Sequence, residues 1–198
     1  MHAELNPRPM RLKWVVLSVV AVMILTGGIE RWMGRSTLGP DGKLRLWEGN
    51  IWSSECSQRL ADPYSFSHIG HGILFYASLW LVARKTPIRA RFLMAVVLEA
   101  GWELLENSPV IINRYRETTI ALGYDGDSIV NSLSDILMMV IGFLLATRLR
   151  PWMSVGLFVV MEIGCLLWIR DNLTLNIIML AYPIQAIKTW QMVGKPPI

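Results

Sequence analysis

The sequence predicts an all-α integral membrane protein of about six transmembrane helices, with both termini in the cytoplasm (N-in/C-in) and a polar pocket between spans 2–4. Of the 198 residues, 53% are hydrophobic and only 17% are charged, whereas an average soluble domain is about a quarter charged. The mean hydropathy is +0.41. The apolar residues form runs of about 20, the length that a helix needs to cross a bilayer. A single transmembrane domain, residues 1–198, fits this length.

Six apolar segments are candidate membrane-spanning helices. The first follows a basic N-terminal segment and precedes no A-x-A cleavage site, so it is expected to be a retained signal anchor. The last two are separated only by Arg170, Asp171 and Asn172, which predicts a tight helical hairpin with Asn172 as N-cap. The predicted spans are residues 13–33, 67–84, 91–108, 128–148, 152–170 and 172–190.

Lysine and arginine in the loops predict the orientation, because cytoplasmic loops carry an excess of both. The dense basic clusters "ARKTPIRAR" (83–91) and "TRLRP" (147–151) mark the inner side, so the protein is expected to be a multi-pass protein of the cell inner membrane. Eight other basic residues are expected on the outer side: Arg31 at the end of span one, six in the longer loops 34–66 and 109–127, and Arg170. The basic residues expected on the inner side are Arg8, Arg11, Lys13, Arg84, Lys85, Arg89, Arg91, Arg148, Arg150, Lys188 and Lys195.

The third span carries three acids on one helix face, Glu99, Glu103 and Glu106, at positions i, i+4 and i+7. Glu99 lies eight residues beyond Arg91, about 12 Å along a helix and therefore near the bilayer midplane. A charge at that depth costs at least about 2.5 kcal/mol. We therefore expect Glu99 to be protonated or paired with another span, and the acids to face a protein interior or a cavity.

Two further spans place polar side chains in the same outer half of the bilayer. His68 and His71 share a face of span two, where Gly70 and Gly72 let another backbone approach closely. Span four begins with polar residues at positions i, i+4 and i+8, again on one face. These residues are Asp127, Asn131 and Asp135.

This segregation predicts one outward-facing polar pocket. The candidate catalytic residues are His71, Glu103, Arg116, Asp127 and Asn131. The residues expected around them are His68, Glu99, Glu106, Arg114 and Asp135. The alternative is that these side chains are isolated structural ties between helices, although ionisable residues inside a membrane are functional by default.

The charge and the amino-acid composition also limit the classes of partner that the protein is expected to bind. The net charge is +4, but the basic residues sit at the ends of apolar runs, as membrane topology requires. The expected partners are therefore the lipid bilayer and an envelope lipid, and not nucleic acid. Cys56 and Cys165 lack metal-site or redox spacing and are expected to be unpaired thiols.

The segments "SHIGHG", "EAGWELLENSPVIINRYRETTIALGYDGDS" and "NSLSD" resemble a group of uncharacterised multi-pass inner-membrane proteins of proteobacteria. The resemblance implies location and topology but no chemistry. More distantly, the same block resembles the VanZ-like membrane proteins, which implies a role in the cell envelope. Glu106 stands where that pattern has glutamine, and Ser134 where it usually has glycine. The matching positions are His71, Glu103, Arg114 or Arg116, Asp127, Asn131 and Gly142.

Two hypotheses of function follow. In the first, the protein is an enzyme that performs hydrolysis or group transfer on an envelope lipid or lipid-linked phosphate. Arginine would hold phosphate, and a histidine or glutamate would act as general acid or base. A metal is conceivable because His68, His71, Glu103 and Asp127 are acceptable ligand types, but neither HExxH nor a serine motif is present. In the second, the pocket belongs to a non-enzymatic lipid-binding, ion-binding or accessory protein. The sequence names no cofactor.

Overall fold

The computed structural model describes residues 10–193. Within that range the chain is helical and irregular, with one isolated backbone bridge between Trp47 and Ala61. Five of the six predicted segments coincide with a helix to within three residues at each end. The eight helices of the described range are α1 (Leu12–Trp32), α2 (Ser65–Val82), α3 (Ile88–Glu106), α4 (Pro109–Thr118), α5 (Ile129–Arg148), α6 (Pro151–Ile169), α7 (Leu173–Ala181) and α8 (Gln185–Met192).

Three helices, α1, α5 and α6, are long and apolar enough to cross a membrane. α1 and α6 turn most of their apolar side chains outward, with Ile24 70% and Leu167 80% exposed. Contiguous apolar surface on this scale is unfavourable in water, so these helices indicate membrane association. α2 and α3 are of similar length but carry the buried His68 and the buried acids Glu99 and Glu103.

The centre of the bundle is the packing of α2 against α5. A Cβ atom added to Gly72 would overlap the carbonyl oxygen of Met139, and one added to Gly142 would overlap that of Ile69. The two backbones therefore touch at both glycines, as close approach through small residues permits. Gly70, by contrast, faces the ring of Phe158 on α6.

The predicted sixth span, residues 172–190, is wrong. The chain there forms two short helices, and Tyr182 to Ile184 between them are not helical. Pro183 explains the break, because proline lacks a backbone N–H and disfavours helical geometry in the preceding residue. The Arg170 guanidinium donates to the carbonyl oxygen of Trp190 at 3.0 Å, whereas the ends of a continuous 19-residue helix would lie about 28 Å apart.

The predicted inner location of the C-terminal region is not supported either. Arg114 on α4 donates to the carbonyl oxygen of Leu180 at 2.9 Å, and Gln191 on α8 donates to that of Arg170 at 2.9 Å. These bonds hold α7 and α8 at the end of the bundle where α3 and α6 finish. Arg8 and Lys195, which contributed to the predicted orientation, lie outside the described residues.

The loops at this end form a cap over the bundle, which we define as residues 33–64 and 119–128. The buried Arg59 side chain donates to Asp41 and to the carbonyl oxygen of Lys43, both at 2.8 Å. Asn131 on α5 donates to the carbonyl oxygen of Arg59 at 2.8 Å. Trp47 stacks on Trp168 with ring centroids 5.9 Å apart. The cap is therefore fixed to the helix ends by hydrogen bonds and stacking.

We expect Gly72→Ala to destabilise the protein by about 1–3 kcal/mol, the usual effect of overpacking, because its new Cβ would meet the backbone of α5. Gly156→Ala is the matched control, since an added Cβ on that helical glycine meets nothing within 4 Å. Thermal unfolding of both variants in detergent measures the effect. Equal melting temperatures for the two variants would contradict the close helix contact.

Candidate functional site

The polar centre of the bundle is the Glu99 carboxylate, which lies between two histidines of α2. Glu99 Oε1 is 2.6 Å from His68 Nδ1, and Glu99 Oε2 is 3.0 Å from His71 Nδ1. The two imidazoles are one helical turn apart and so face α3 together. Glu99 is completely buried and is paired with another helix, one of the two states expected for it.

The same histidine connects α2 with α5. His68 Nε2 lies 3.8 Å from Asp135 Oδ2, and the Ser65 hydroxyl donates to Asp135 Oδ1 at 3.2 Å. The glycine contact between α2 and α5 brings these side chains within reach. His68 thus lies between the acids of two neighbouring helices.

Glu103 lies one turn beyond Glu99 and is only 1% exposed. Its Oε1 is 3.4 Å from His68 Nδ1 and has no hydrogen-bond partner. A buried acceptor without a partner is costly and uncommon in native proteins. Glu103 is therefore an acid that lies close to His68 while its buried Oε1 atom accepts no hydrogen bond.

A second polar group surrounds Asp127, which precedes α5. Asp127 accepts from the Tyr124 hydroxyl at 3.0 Å and from the Asn107 amide at 3.1 Å. Its own backbone N–H donates to Asn107 Oδ1 at 2.7 Å. Burial raises the pKa of the Asp127 carboxyl to about 7, although the hydrogen bonds from Tyr124 and Asn107 oppose that rise.

These groups border one cavity of about 510 Å³. Its polar wall contains carboxyl, imidazole and phenol groups from α2, α3, α4, α5 and the cap. Its apolar wall includes Leu74, Leu98, Leu105 and Ile177, which are 39–54% exposed on the outside of the bundle. The cavity thus joins the apolar helix surface to the buried polar centre. The polar lining residues are Ser57, Asp62, Tyr64, Ser67, His68, His71, Glu106, Tyr115, Thr119, Tyr124, Asp127, Asp135 and Asn176.

A second cavity of about 560 Å³ lies within the cap. The two cavities share five lining residues and therefore adjoin at the wall that those residues form. The shared residues are Ser57, Tyr64, Ala121, Tyr124 and Asp127.

The structure brings together part of the predicted site. Of the five candidate catalytic residues, His71 and Asp127 line the cavity, and Glu103 lies behind its wall next to His68. Of the five residues expected around them, Glu99 is buried beneath the two histidines. The others that line the cavity are His68, Glu106 and Asp135.

Three predicted residues are engaged elsewhere. Arg116 pairs with Asp125 at 2.7 Å and donates to the carbonyl oxygen of Tyr124, because α4 turns its basic side chains away from the cavity. Arg114 is held by the backbone of α7. Asn131 is held by the backbone of the cap. The lining of the cavity does not include these three residues.

Sequence reasoning missed the three tyrosines of the lining, Tyr64, Tyr115 and Tyr124. Tyr115 lies on α4, within the segment 109–127 that the hydropathy pattern assigns to an outer loop, although Ser108 and Pro109 form a helix-start signal. The Ser108 hydroxyl accepts from the N–H of Ile111 at 3.4 Å. That capping signal was the one available indication of a helix at this edge of the site.

Fold and site together define an all-helical, membrane-associated protein with a buried histidine–carboxylate cluster beside a cavity. Residues 31–193 match the family described as "Protein of unknown function (DUF2585)", and the chain belongs to that family. A UPF0314 protein of Sphingopyxis alaskensis is 46% identical over 184 residues, covering 93% of this chain and 97% of the relative. A UPF0314 protein of Rhizobium etli is 49% identical over 178 residues, covering 90% and 91%.

A UPF0314 protein of Paracoccus denitrificans is 46% identical over 170 residues, covering 86% of this chain and 88% of the relative. No solved structure matches the chain. The predicted membership of an uncharacterised proteobacterial family is thereby confirmed.

Proposed function

We propose that the protein is a multi-pass inner-membrane protein that admits an envelope lipid into its cavity from the side and performs hydrolysis or group transfer on it. The main support for the proposal is the composition of the cavity wall. Its wall runs from exposed apolar side chains to buried histidines and carboxyl groups. Its volume of about 510 Å³ is within the usual range of about 300–1,000 Å³ for small-molecule sites.

The topology we propose has five spans, α1, α2, α3, α5 and α6. The basic residues at the start of α1, between α2 and α3, and between α5 and α6 favour a cytoplasmic location for that end of the bundle. Arg89 donates to the carbonyl oxygen of Met10, which supports a common end for α1 and α3. An odd number of spans leaves the cap, α4, α7 and α8 on the periplasmic side.

A lipid fits the cavity better than a soluble ligand does. Leu74 and Leu98 border the opening and are exposed on helix faces that would contact acyl chains. An amphiphile could therefore keep its chains in the bilayer while its head group reaches the polar wall. Transfer of only the head group avoids moving the whole lipid through water.

The cluster provides groups for acid–base chemistry. A carboxylate at Glu99 favours the tautomer of His71 that carries its proton on Nδ1, which leaves Nε2 free to accept one. In the proposed step, His71 takes a proton from water as the water oxygen bonds to the carbon or phosphorus of a lipid ester. The bond to the leaving oxygen breaks, and a protonated carboxyl group gives that oxygen its proton. One water is consumed, and one acid and one alcohol form; an alcohol in place of water gives group transfer.

Asp127 is the candidate acid, because its raised pKa of about 7 keeps it partly protonated near neutral pH. The role expected for Arg114 and Arg116 as phosphate ligands loses its support, since both are bound to other partners. Among the described residues that line the cavity there is no lysine or arginine. A phosphate head group would therefore need another source of positive charge.

The distant resemblance to VanZ-like proteins also supports an envelope lipid as the ligand. Two positions of that pattern, His71 and Asp127, line the cavity. An envelope lipid as ligand is consistent with the envelope role that the resemblance implies.

The five-span topology predicts opposite sides for the chain termini. A reporter that is active only in the periplasm, fused behind Ile198, should be active. The same reporter inserted between Lys85 and Thr86, in the α2–α3 loop, should be inactive and serves as the control. A C-terminal fusion that is inactive while the loop fusion is also inactive would contradict five spans and restore the N-in/C-in arrangement.

Filling the cavity should reduce the lipid that remains bound after purification in mild detergent. Gly101 lines the cavity and an added Cβ there meets nothing within 4 Å, so the side chain of Gly101→Leu would start from open space at the cavity wall. We expect a loss of most co-purified lipid, measured by native mass spectrometry and lipid extraction. Gly156→Leu, at an equally open glycine outside the cavity lining, should retain it. Equal lipid in both variants would overturn the lipid site.

His71→Gln separates an enzyme from a binding protein, because it removes the proton acceptor while keeping a polar group of similar size. Labelled envelope lipids incubated with the wild-type protein should yield a cleaved or transferred product, and the variant should bind lipid but form at least about tenfold less product. Lipid bound intact by both proteins, with no product from either, would overturn catalysis and identify a lipid-binding protein.

A further inference from the structure

We propose that His68, His71 and Glu99 bind a divalent transition-metal ion, with the Glu103 carboxylate next to the ion beside His68. The proposal that an ion binds rests on the distances between the donor atoms and on their burial. Its role, to supply the positive charge that a lipid ester or phosphate needs, rests on the proposed function.

The distances between the donor atoms suit a metal. One donor atom from each of His68, His71 and Glu99 lies within 4.8 Å of the others, and the same holds for His68, Glu103 and Glu106. Adjacent ligands of a tetrahedral zinc ion are separated by about 3.4 Å, given metal–ligand bonds of about 2.1 Å. His71 Nδ1 to Glu99 Oε2 measures 3.0 Å and His68 Nδ1 to Glu103 Oε1 measures 3.4 Å. Of these three pairs, His68 and Glu99, at 2.6 Å, are the ones that must separate by more than half an ångström.

Glu103 gives an independent indication of a missing ligand. Its Oε1 is buried, without a hydrogen-bond partner, and 3.4 Å from His68 Nδ1. Glu103 lies on the same face of α3 as Glu99, one turn away. A cation beside His68 Nδ1 would satisfy this oxygen and would offset the repulsion between the two carboxylates.

The donor set selects the class of ion. Two imidazoles and a carboxylate suit Zn²⁺, Mn²⁺ or Fe²⁺, whereas Mg²⁺ and Ca²⁺ prefer oxygen ligands alone. Two histidines and a glutamate with an open position are a known catalytic zinc set. On binding, the proton of each imidazole moves from Nδ1 to Nε2, so that the neutral ring offers its Nδ1 lone pair to the metal. With the ion bound, a water on the metal would lose the proton that His71 Nε2 accepts when no ion is bound.

The position of the proposed ion beside the cavity favours a role in catalysis. His68 and His71 both line the cavity, so an ion between them would be reached by a lipid head group or a water molecule. A bound metal lowers the pKa of its water and polarises ester or phosphoryl oxygens. It would supply the positive charge for which the cavity lining has no lysine or arginine.

The test is the metal content of the full-length protein purified in detergent and dialysed against a weak chelator. Inductively coupled plasma mass spectrometry should find about one zinc, manganese or iron per chain. His71→Gln and Glu103→Gln should each lower the retained metal about tenfold or more. Glu30→Gln is the matched control, because Glu30 is equally buried but belongs to neither group of donor atoms, and it should retain the metal.

A second measurement does not depend on variants that fold. Wild-type protein stripped with a strong chelator should gain thermal stability when Zn²⁺ is added, since a ligand that binds the native state stabilises it. Co²⁺ in the same site should give the intense visible absorption of a tetrahedral complex. Folded wild-type protein with no stoichiometric metal and no gain in melting temperature on adding Zn²⁺, Mn²⁺ or Fe²⁺ would overturn the site. Equal lipid in Gly101→Leu and Gly156→Leu, with stoichiometric metal in the wild-type protein, would overturn the lipid site and leave the metal site standing, so the two proposals fail separately.

Discussion

The pairing of the Glu99 carboxylate with two imidazoles is the interaction on which the arrangement of the site depends. An unpaired carboxylate at this depth would be strongly unfavourable, and Glu99 is fully buried. His68 and His71 reach it because α2 and α3 are neighbours, and α2 is held in place by its backbone contact with α5 at Gly72 and Gly142. The same contact brings Asp135 close to His68. The pairing of Glu99 with the imidazoles joins α2 to α3, and the contact of His68 with Asp135 adds α5, so these side chains connect three helices around the cavity.

The cap and the broken C-terminal helix give this polar centre its boundaries. Pro183 interrupts the last apolar segment, so α7 covers the edge of the cavity with Leu173, Ile177 and Leu180 instead of crossing the bilayer. Tyr124 in the cap closes the polar side and binds Asp127. The cavity is therefore apolar where it opens on the helix surface and polar where it meets the cap, which is the distribution that an amphiphilic ligand requires.

The sequence was informative where a local pattern determines the structure. Apolar runs located five helices, and the i, i+3 and i, i+4 spacings put His68, His71 and Glu99 on interior faces. It failed where long-range contacts decide. The side chains of Arg116 and Asn131 had partners available in the cap that no periodicity reveals. Pro183 is a helix-breaking residue that the sequence shows, but the segment of 19 mostly apolar residues around it has the length and hydropathy of a membrane-spanning helix. The distant VanZ-like resemblance stays a prediction.

The central pairing is tested most directly by a double-mutant cycle of His71→Gln and Glu99→Gln, with unfolding free energies measured in detergent with excess chelator. Either single change leaves a buried partner unsatisfied, so the second change should add little, and we predict a coupling energy of about 1 kcal/mol or more. The effects of His71→Gln and Glu30→Gln on the unfolding free energy should be additive, because Glu30 lies on α1 outside the cluster. Additivity within about 0.5 kcal/mol for His71 and Glu99 would contradict the account.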